Sequence, residues 1–272
     1  MTKTAKIVSV LVVMVLVFAG GVVANDSITI QGSTTVNPIS QVTAEAFMDL
    51  NPEINISIRG GGSGTGIASL VDDAVELAQS SRFIRETEVK NAVSNGVYPV
   101  PHRIGMDGIA VVVNPDNPVD ALTLDQLQSI FAGEITNWEE FGGKDQEITI
   151  VSRDYASGTF GVYNDIVLRD KRLSPTALTQ ASNAGIATTV AETPGGIGYV
   201  GLGYLSDSLK AIKVDDVMPS NATVASGAYP IARPLFFFTN GWPEGVIAQY
   251  LGFVLSEEGQ QLVEDEGFVP LF

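Results

Sequence analysis

Serine, threonine, glycine and arginine gather in three short turns of this sequence: GSTT (32–35), RGGGSGTG (59–66) and SRDYASGT (152–159). Each follows a strand-like run (SITI, NISI, ITIV) and opens a helix-like one. Helix starts offer free N–H groups and partial positive charge, and the hydroxyls beside them add further donors. Three such turns aimed at one point would form a cage of donors around an oxyanion. Taken singly, each is ordinary N-cap and turn chemistry.

The glycine-rich turn fails the patterns that would make it a nucleotide loop or a hydrolase elbow. Gly61 and Gly66 have P-loop spacing, but Ile67 stands where the phosphate-holding lysine is required, and no Ser or Thr follows it for magnesium. Gly62-Ser63-Gly64 runs on to Ile67 where a dinucleotide fold needs its third glycine. A serine elbow, G-x-S-x-G, fails at Thr65. The chain holds one histidine, His102, beside Pro101, a position that reads as surface or loop rather than as a general base. With no cysteine and no carboxylate cluster, thiol catalysis, thiolate metal sites and a catalytic metal centre are not expected. Catalytic residues, metal and cofactor are therefore all expected to be none.

The elements that must position these turns alternate. SITI precedes the helical pattern NPISQVTAEAFMDL, NISI precedes IASLVDDAVELA, and EITIV precedes GVYNDIVL. IAVVV is the continuous apolar run of a buried strand, and the chain closes on one helical pattern, GVIAQYLGFVLSEEGQQLVEDE. Such alternation predicts an α/β fold with mostly parallel sheets. Two turn-rich interruptions, NPDNPVD (114–120) and GAYPIARP (227–234), mark places where the chain leaves one lobe and returns. The expected organisation is a leader at 1–24, a first lobe at 25–113, a second at 114–230 and a return at 231–272.

The leader reading rests on basic Lys3 and Lys6, an unbroken apolar run to Ala24, and small residues Val22 and Ala24 ahead of Asn25. It predicts export to the periplasm or cell surface, with an uncleaved leader kept as an anchor as the alternative. No cysteine stands near the cleavage point to carry a lipid. The formal charge of −16 repels nucleic acid, so an anion bound here is attracted by local donors against the mean field.

The ordered set GSTTVNP, RGGGSGTG, SSR, GMDGIAVVVNP, SRDYASGTF, TPGGIGYVGLGYL and YPIARPL resembles the periplasmic phosphate-binding proteins of ABC-type phosphate uptake systems. The resemblance runs from about Ser27 to Phe272. It implies a two-lobed type II periplasmic-binding-protein fold, each lobe a mostly parallel sheet flanked by helices, joined by two crossing strands. It also implies site residues: Thr34 and Thr35 through hydroxyl and N–H, Ser63, Ser157, and the N–H groups of Gly158 and Thr159. Arg153 falls where that family has its phosphate-binding arginine, and a guanidinium fork can pair two phosphate oxygens. In QSSR (79–82) the sequence departs from well-known members, which carry aspartate where this chain has Ser81. Ser81 is carried over as a hydroxyl donor and Arg82 as a second cation, with a lobe bridge or a pairing to Asp72 or Asp73 as its alternatives.

That departure matters, because phosphate keeps a proton at neutral pH and sulfate does not. A buried carboxylate accepts a bond from phosphate and meets sulfate acceptor to acceptor, a difference on the order of 2–5 kcal/mol. Asp107, in GMDGIAVVV, is the expected replacement, with a capping role as its alternative; Asp154 is a further member or an orienter of Arg153. The function so implied is capture of inorganic phosphate and delivery to the membrane permease subunits of an ABC importer by a monomer that does no chemistry on its ligand. The alternatives are a binder of sulfate, molybdate or tungstate, a secreted phosphatase, and a sensor or adhesin on the same fold.

Overall fold

The computed structural model describes residues 27–272, so the leader reading lies outside the described residues. The first lobe is built from β1 (Ser27–Gly32), α1 (Asn37–Leu50), β2 (Asn55–Arg59), α2 (Ser63–Val71), β3 (Leu77–Ser80) and α3 (Glu86–Ser94), followed by the long strand β4 (Pro99–Val113). The second contains β5 (Ala121–Leu122), α4 (Leu124–Phe131), β6 (Thr149–Arg153), α5 (Gly158–Tyr163), β7 (Leu178–Gln180), α6 (Asn183–Glu192), β8 (Gly196–Gly201), β9 (Lys210–Ala211), β10 (Lys213–Val214) and α7 (Asn221–Ala225). The chain returns through β11 (Ala232–Asn240) and ends on α8 (Gly245–Val254) and α9 (Glu257–Asp265).

The main strands run in the order β2-β1-β3-β11-β4-β8-β6-β7. Pairing is parallel among β2, β1 and β3 and among β8, β6 and β7. It turns antiparallel where β11 and β4 join the halves. β4 does the joining by changing partner: it lies against β11 as far as Gly108 and against β8 from Ile109.

The core divides at the same point. Ile28, Ile30, Leu77, Ile104, Leu235 and Phe237 pack together on one side. Ile109, Val111, Ile150, Val151, Ile197 and Tyr199 pack on the other. Each such side chain, fully removed from water, contributes about 1.5–3 kcal/mol. The first crossing therefore falls inside the apolar run of β4, ahead of the 114–120 turn, whose Val119 already belongs to the second core.

Two local readings are corrected. The run IASLVDDAVELA is not one helix: α2 starts within the glycine turn at Ser63 and stops at Val71, and Leu77–Ser80 forms β3. Asp73, with φ 54°, breaks the helix, and all four residues of β3 are buried between β1 and β11. An interior strand this short leaves no alternation to distinguish it from a helical pattern. The C-terminal pattern likewise splits, where Ser256 caps α9 by accepting from the Gly259 N–H.

Candidate anion-binding site

The three turns meet where the lobes face each other. The GSTT turn leaves β1 and leads into α1, and Ser33 Oγ accepts from the Thr35 N–H at 3.2 Å. Thr35 thus spends its backbone donor locally and turns its hydroxyl outward, 3.0 Å from the hydroxyl of Thr159 in the opposite lobe. Ser63 opens α2 and is fully buried; its Oγ accepts from the Ser81 N–H at 3.1 Å and lies 3.5 Å from Ser81 Oγ. Ser81 Oγ also accepts from the hydroxyl of Ser33 at 2.9 Å.

From the second lobe, Ser157 caps α5 by accepting from the Phe160 N–H, and Gly158 and Thr159 head that helix. Gly158 admits no side chain: a Cβ there would stand 2.2 Å from Ser63 Oγ. Gly62 faces the same seam with φ 98°, and a Cβ on it would lie 2.6 Å from the Ala156 carbonyl oxygen. The glycines let two backbones approach across the cleft.

Two guanidinium groups enter this ring from opposite sides. Arg153, at the end of β6, is buried; its Nε and Nη2 donate to the carbonyls of Gln180 and Ala181, and its Nη1 reaches Thr34 Oγ1 at 3.2 Å. Among the described residues no carboxylate forms a salt bridge with it. Burial pushes its pKa down, and the Asp154 charge nearby opposes that shift. Asp154 spends Oδ1 on the Ala156 N–H, fixing the loop that carries Ser157.

Arg233, on β11, donates Nη1 to Ser81 Oγ and Nη2 to Thr35 Oγ1, both at 3.2 Å. Its Nε and Nη2 also donate to Asp107 Oδ2 at 3.0 and 2.8 Å. Asp107 Oδ1 accepts from the Leu202 N–H at 2.9 Å. Burial pushes the Asp107 carboxyl up, while the Arg233 charge and these bonds pull it back. The same burial pushes Arg233 down.

The site thus gathers Thr34, Thr35, Ser63, Ser81, Arg153, Ser157, Gly158 and Thr159, with Asp107 behind Arg233. Arg82 stands apart: its Nη atoms are paired with Glu88 at 2.8 and 2.7 Å, so its cation is spent outside the ring. Four further residues contribute that the sequence reading did not single out. Arg233 was legible as a cation inside the apolar run IARPLFFF. Asn183 donates Nδ2 to Thr34 and Thr35 Oγ1 at 3.1 and 2.9 Å and accepts from the Gly201 N–H, and nothing in its local sequence marks it. Ser33 shares the GSTT turn, and Tyr204, whose hydroxyl donates to the Thr34 carbonyl, sits in the TPGGIGYVGLGYL segment. Burial pushes that phenol to about 12, so it stays a donor. His102 lies outside the site, bonded through Nε2 to Thr239 Oγ1.

Donors crowd this ring, and its lone carboxylate is occupied by one of its two guanidiniums. Such a ring can hold an anion, and it lacks a nucleophile–base pair for reacting with one. A fold of two lobes shut on buried donors places the chain among solute-binding proteins, and a family model for the PBP superfamily domain matches residues 21–258.

The phosphate-binding protein PstS of Bacillus subtilis is 37% identical over 250 residues, covering 91% of this chain and 82% of that protein. A crystal structure from Clostridium perfringens, of a substrate-binding protein assigned to phosphate ABC transport and holding bound phosphate, superposes with a TM-score of 0.85. It is 32% identical and covers 91% of this chain and 100% of that one. An ABC-type phosphate transport receptor from Vibrio cholerae superposes with a TM-score of 0.73 at 32% identity, over 89% and 99% of the two chains. The chain belongs to the PstS family of phosphate-binding proteins, within the periplasmic-binding-protein superfamily.

Proposed function

We propose that this protein captures inorganic phosphate between its lobes and hands it, unaltered, to the membrane subunits of an ABC importer. The observation that carries this reading is the pair of buried guanidiniums, Arg153 and Arg233, entering one hydroxyl-lined ring from opposite lobes. A buried cation without a counter-charge costs several kcal/mol, and an anion beside Arg153 removes that cost. The hydroxyls of Ser63, Ser81 and Thr159 and the N–H groups at the head of α5 supply the remaining donors for a tetrahedral ion. Opening and closing would turn on β4 and β11, the strands that pass between the lobes.

Asp107 is the carboxylate against which phosphate and sulfate differ. Its Oδ2 is taken by Arg233, so Oδ1 is the atom to which a proton on phosphate would donate and which sulfate could only oppose. The carrier works outside the cytoplasmic membrane, as a monomer, after export by the leader. Among the described residues no helix is long and apolar enough to cross a membrane. Calorimetric titration of the mature protein with phosphate, sulfate and molybdate tests the reading. One phosphate site, with the other two ions at least about tenfold weaker, is expected from the cost of an unmade bond to a buried charged group. Equal affinities would make this a general oxyanion binder.

A further inference from the structure

The cleft is sealed by a second set of contacts outside the ring of donors. Gly64, in the first turn of α2, donates its N–H to the Ala156 carbonyl at 2.9 Å, a backbone bond between lobes. Next to it lies Arg82, in the loop after β3, 6% exposed. Glu88 takes both of its Nη atoms, and the Phe83 carbonyl accepts a further bond from Nη1 at 2.9 Å. Glu88 is itself fixed, because its Oε2 accepts from the Arg85 N–H at 2.8 Å in the capping box of α3. The guanidinium is thereby held toward solvent-side Glu88, with its stem against α5 of the other lobe.

Gly161 is the residue of α5 that meets it. A methyl placed there would stand 3.4 Å from Arg82 Cδ and 3.8 Å from Arg82 Nε, ordinary contact distances, and 3.3 Å from Arg85 Nη2, a tighter contact that the free end of that side chain can relieve. The Nε–H, buried in this seam, has no acceptor among the described protein atoms. Gly158, which faces Ser63 and Ser81, and Gly161 lie three apart on α5 and so share the helix face that closes on the first lobe.

We infer that Arg82, pinned by Glu88, is a latch across the cleft: it sets how long a bound ion is held by packing against Gly161, without touching the ion. Arg82 and Glu88 are thus positioning residues, and this assignment rests on the reading that the cleft closes around phosphate. A group that acts on the shut form alone changes escape of the ion and leaves its capture by the open form unchanged. Loosening the latch therefore speeds release, and giving the Nε–H an acceptor across the seam slows it.

The test uses the mature chain loaded with radiolabelled phosphate and chased with unlabelled phosphate, with affinity measured in parallel by equilibrium dialysis. Glu88→Gln should release phosphate at least about fivefold faster with its association rate unchanged, since it loses a charge-assisted bond. Gly161→Ser, whose hydroxyl can accept from Nε, should release about tenfold more slowly than Gly161→Ala, which fills the same space without an acceptor. The serine and alanine variants keep the comparison informative if the Glu88 substitution unsettles α3. Release rates that agree across wild type and all three variants, or changes confined to the association rate, would overturn the latch. Wild-type protein that binds no phosphate would instead overturn the underlying reading, and the latch with it.

Discussion

Asp107 on β4 and Arg233 on β11 are direct partners in the antiparallel register of the two strands that pass between the lobes. Their ion pair, 2.8 Å long, is shut from solvent, with side chains 0% and 1% exposed. The guanidinium reaches onward to Ser81 and Thr35, while the carboxylate reaches back to the Leu202 N–H of the second lobe. One pair thus joins the hinge to the ring that holds the ion.

Removing one side of a buried pair leaves the other charge uncompensated, a loss of about 3–5 kcal/mol. Asp107→Asn should therefore unfold at lower urea in phosphate-free buffer, and saturating phosphate should restore more stability to it than to wild type. Discrimination between phosphate and sulfate should shrink at least about tenfold in the same variant. Unchanged urea midpoint and unchanged selectivity would reduce Asp107 to a structural cap.

Arg153→Ala removes the guanidinium that has no carboxylate of its own. Charge-assisted bonds are worth about 1.5–3 kcal/mol each, so phosphate affinity should fall by more than about tenfold. The variant should be no less stable without phosphate, because a buried unpaired cation has also gone. Calorimetry and a phosphate-free melt measure the two effects separately.

Gly158→Ala adds one methyl where Ser63 Oγ would lie 2.2 Å away and Ser81 Oγ 2.7 Å. Overpacking of this kind costs about 1–3 kcal/mol, and here it falls on the shut form. Affinity for phosphate should drop between about fivefold and a hundredfold while the phosphate-free melt stays near wild type. A binding isotherm unchanged by the methyl would mean that the lobes do not close to this separation.

Acid stability should depend on Glu88. Burial by itself raises that carboxyl, but the bonds from Arg82 and the Arg85 N–H, with their two positive charges, outweigh it and hold the pKa below its ordinary value of 4.5. A depressed carboxyl contributes stability above its unfolded pKa and loses it as pH falls through the folded value. In phosphate-free urea melts, wild type should therefore lose stability more steeply than Glu88→Gln from about pH 5 downward. Parallel pH profiles would contradict the pairing.

The strand–turn–helix order and the three donor turns were legible because each depends on local chemistry: apolar runs, then Gly, Ser and Thr. Ser63, Arg153 and Thr159 could be read from that pattern together with the family resemblance. Arg233 was harder, since a lone arginine in an apolar strand acquires meaning only when Asp107 is seen as its register partner. Asn183 could not be found this way, because its partners lie 148 and 149 residues away in sequence. β3 escaped for a related reason: Leu77–Ser80 is a strand only because β1 and β11 bury it from both sides. Arg82 stands beside Ser81 in sequence, yet Glu88 turns its cation away from the ring, which leaves the lobe bridge among its expected roles.

A crystal structure of the mature protein grown with phosphate is the sharpest test of this ring as an ion site. One tetrahedral ion is expected between the lobes, with oxygens about 2.7–3.1 Å from a nitrogen of Arg153, a nitrogen of Arg233 and the hydroxyls of Ser63 and Thr159. An ion bound elsewhere, or lobes that close without one touching both arginines, would contradict it.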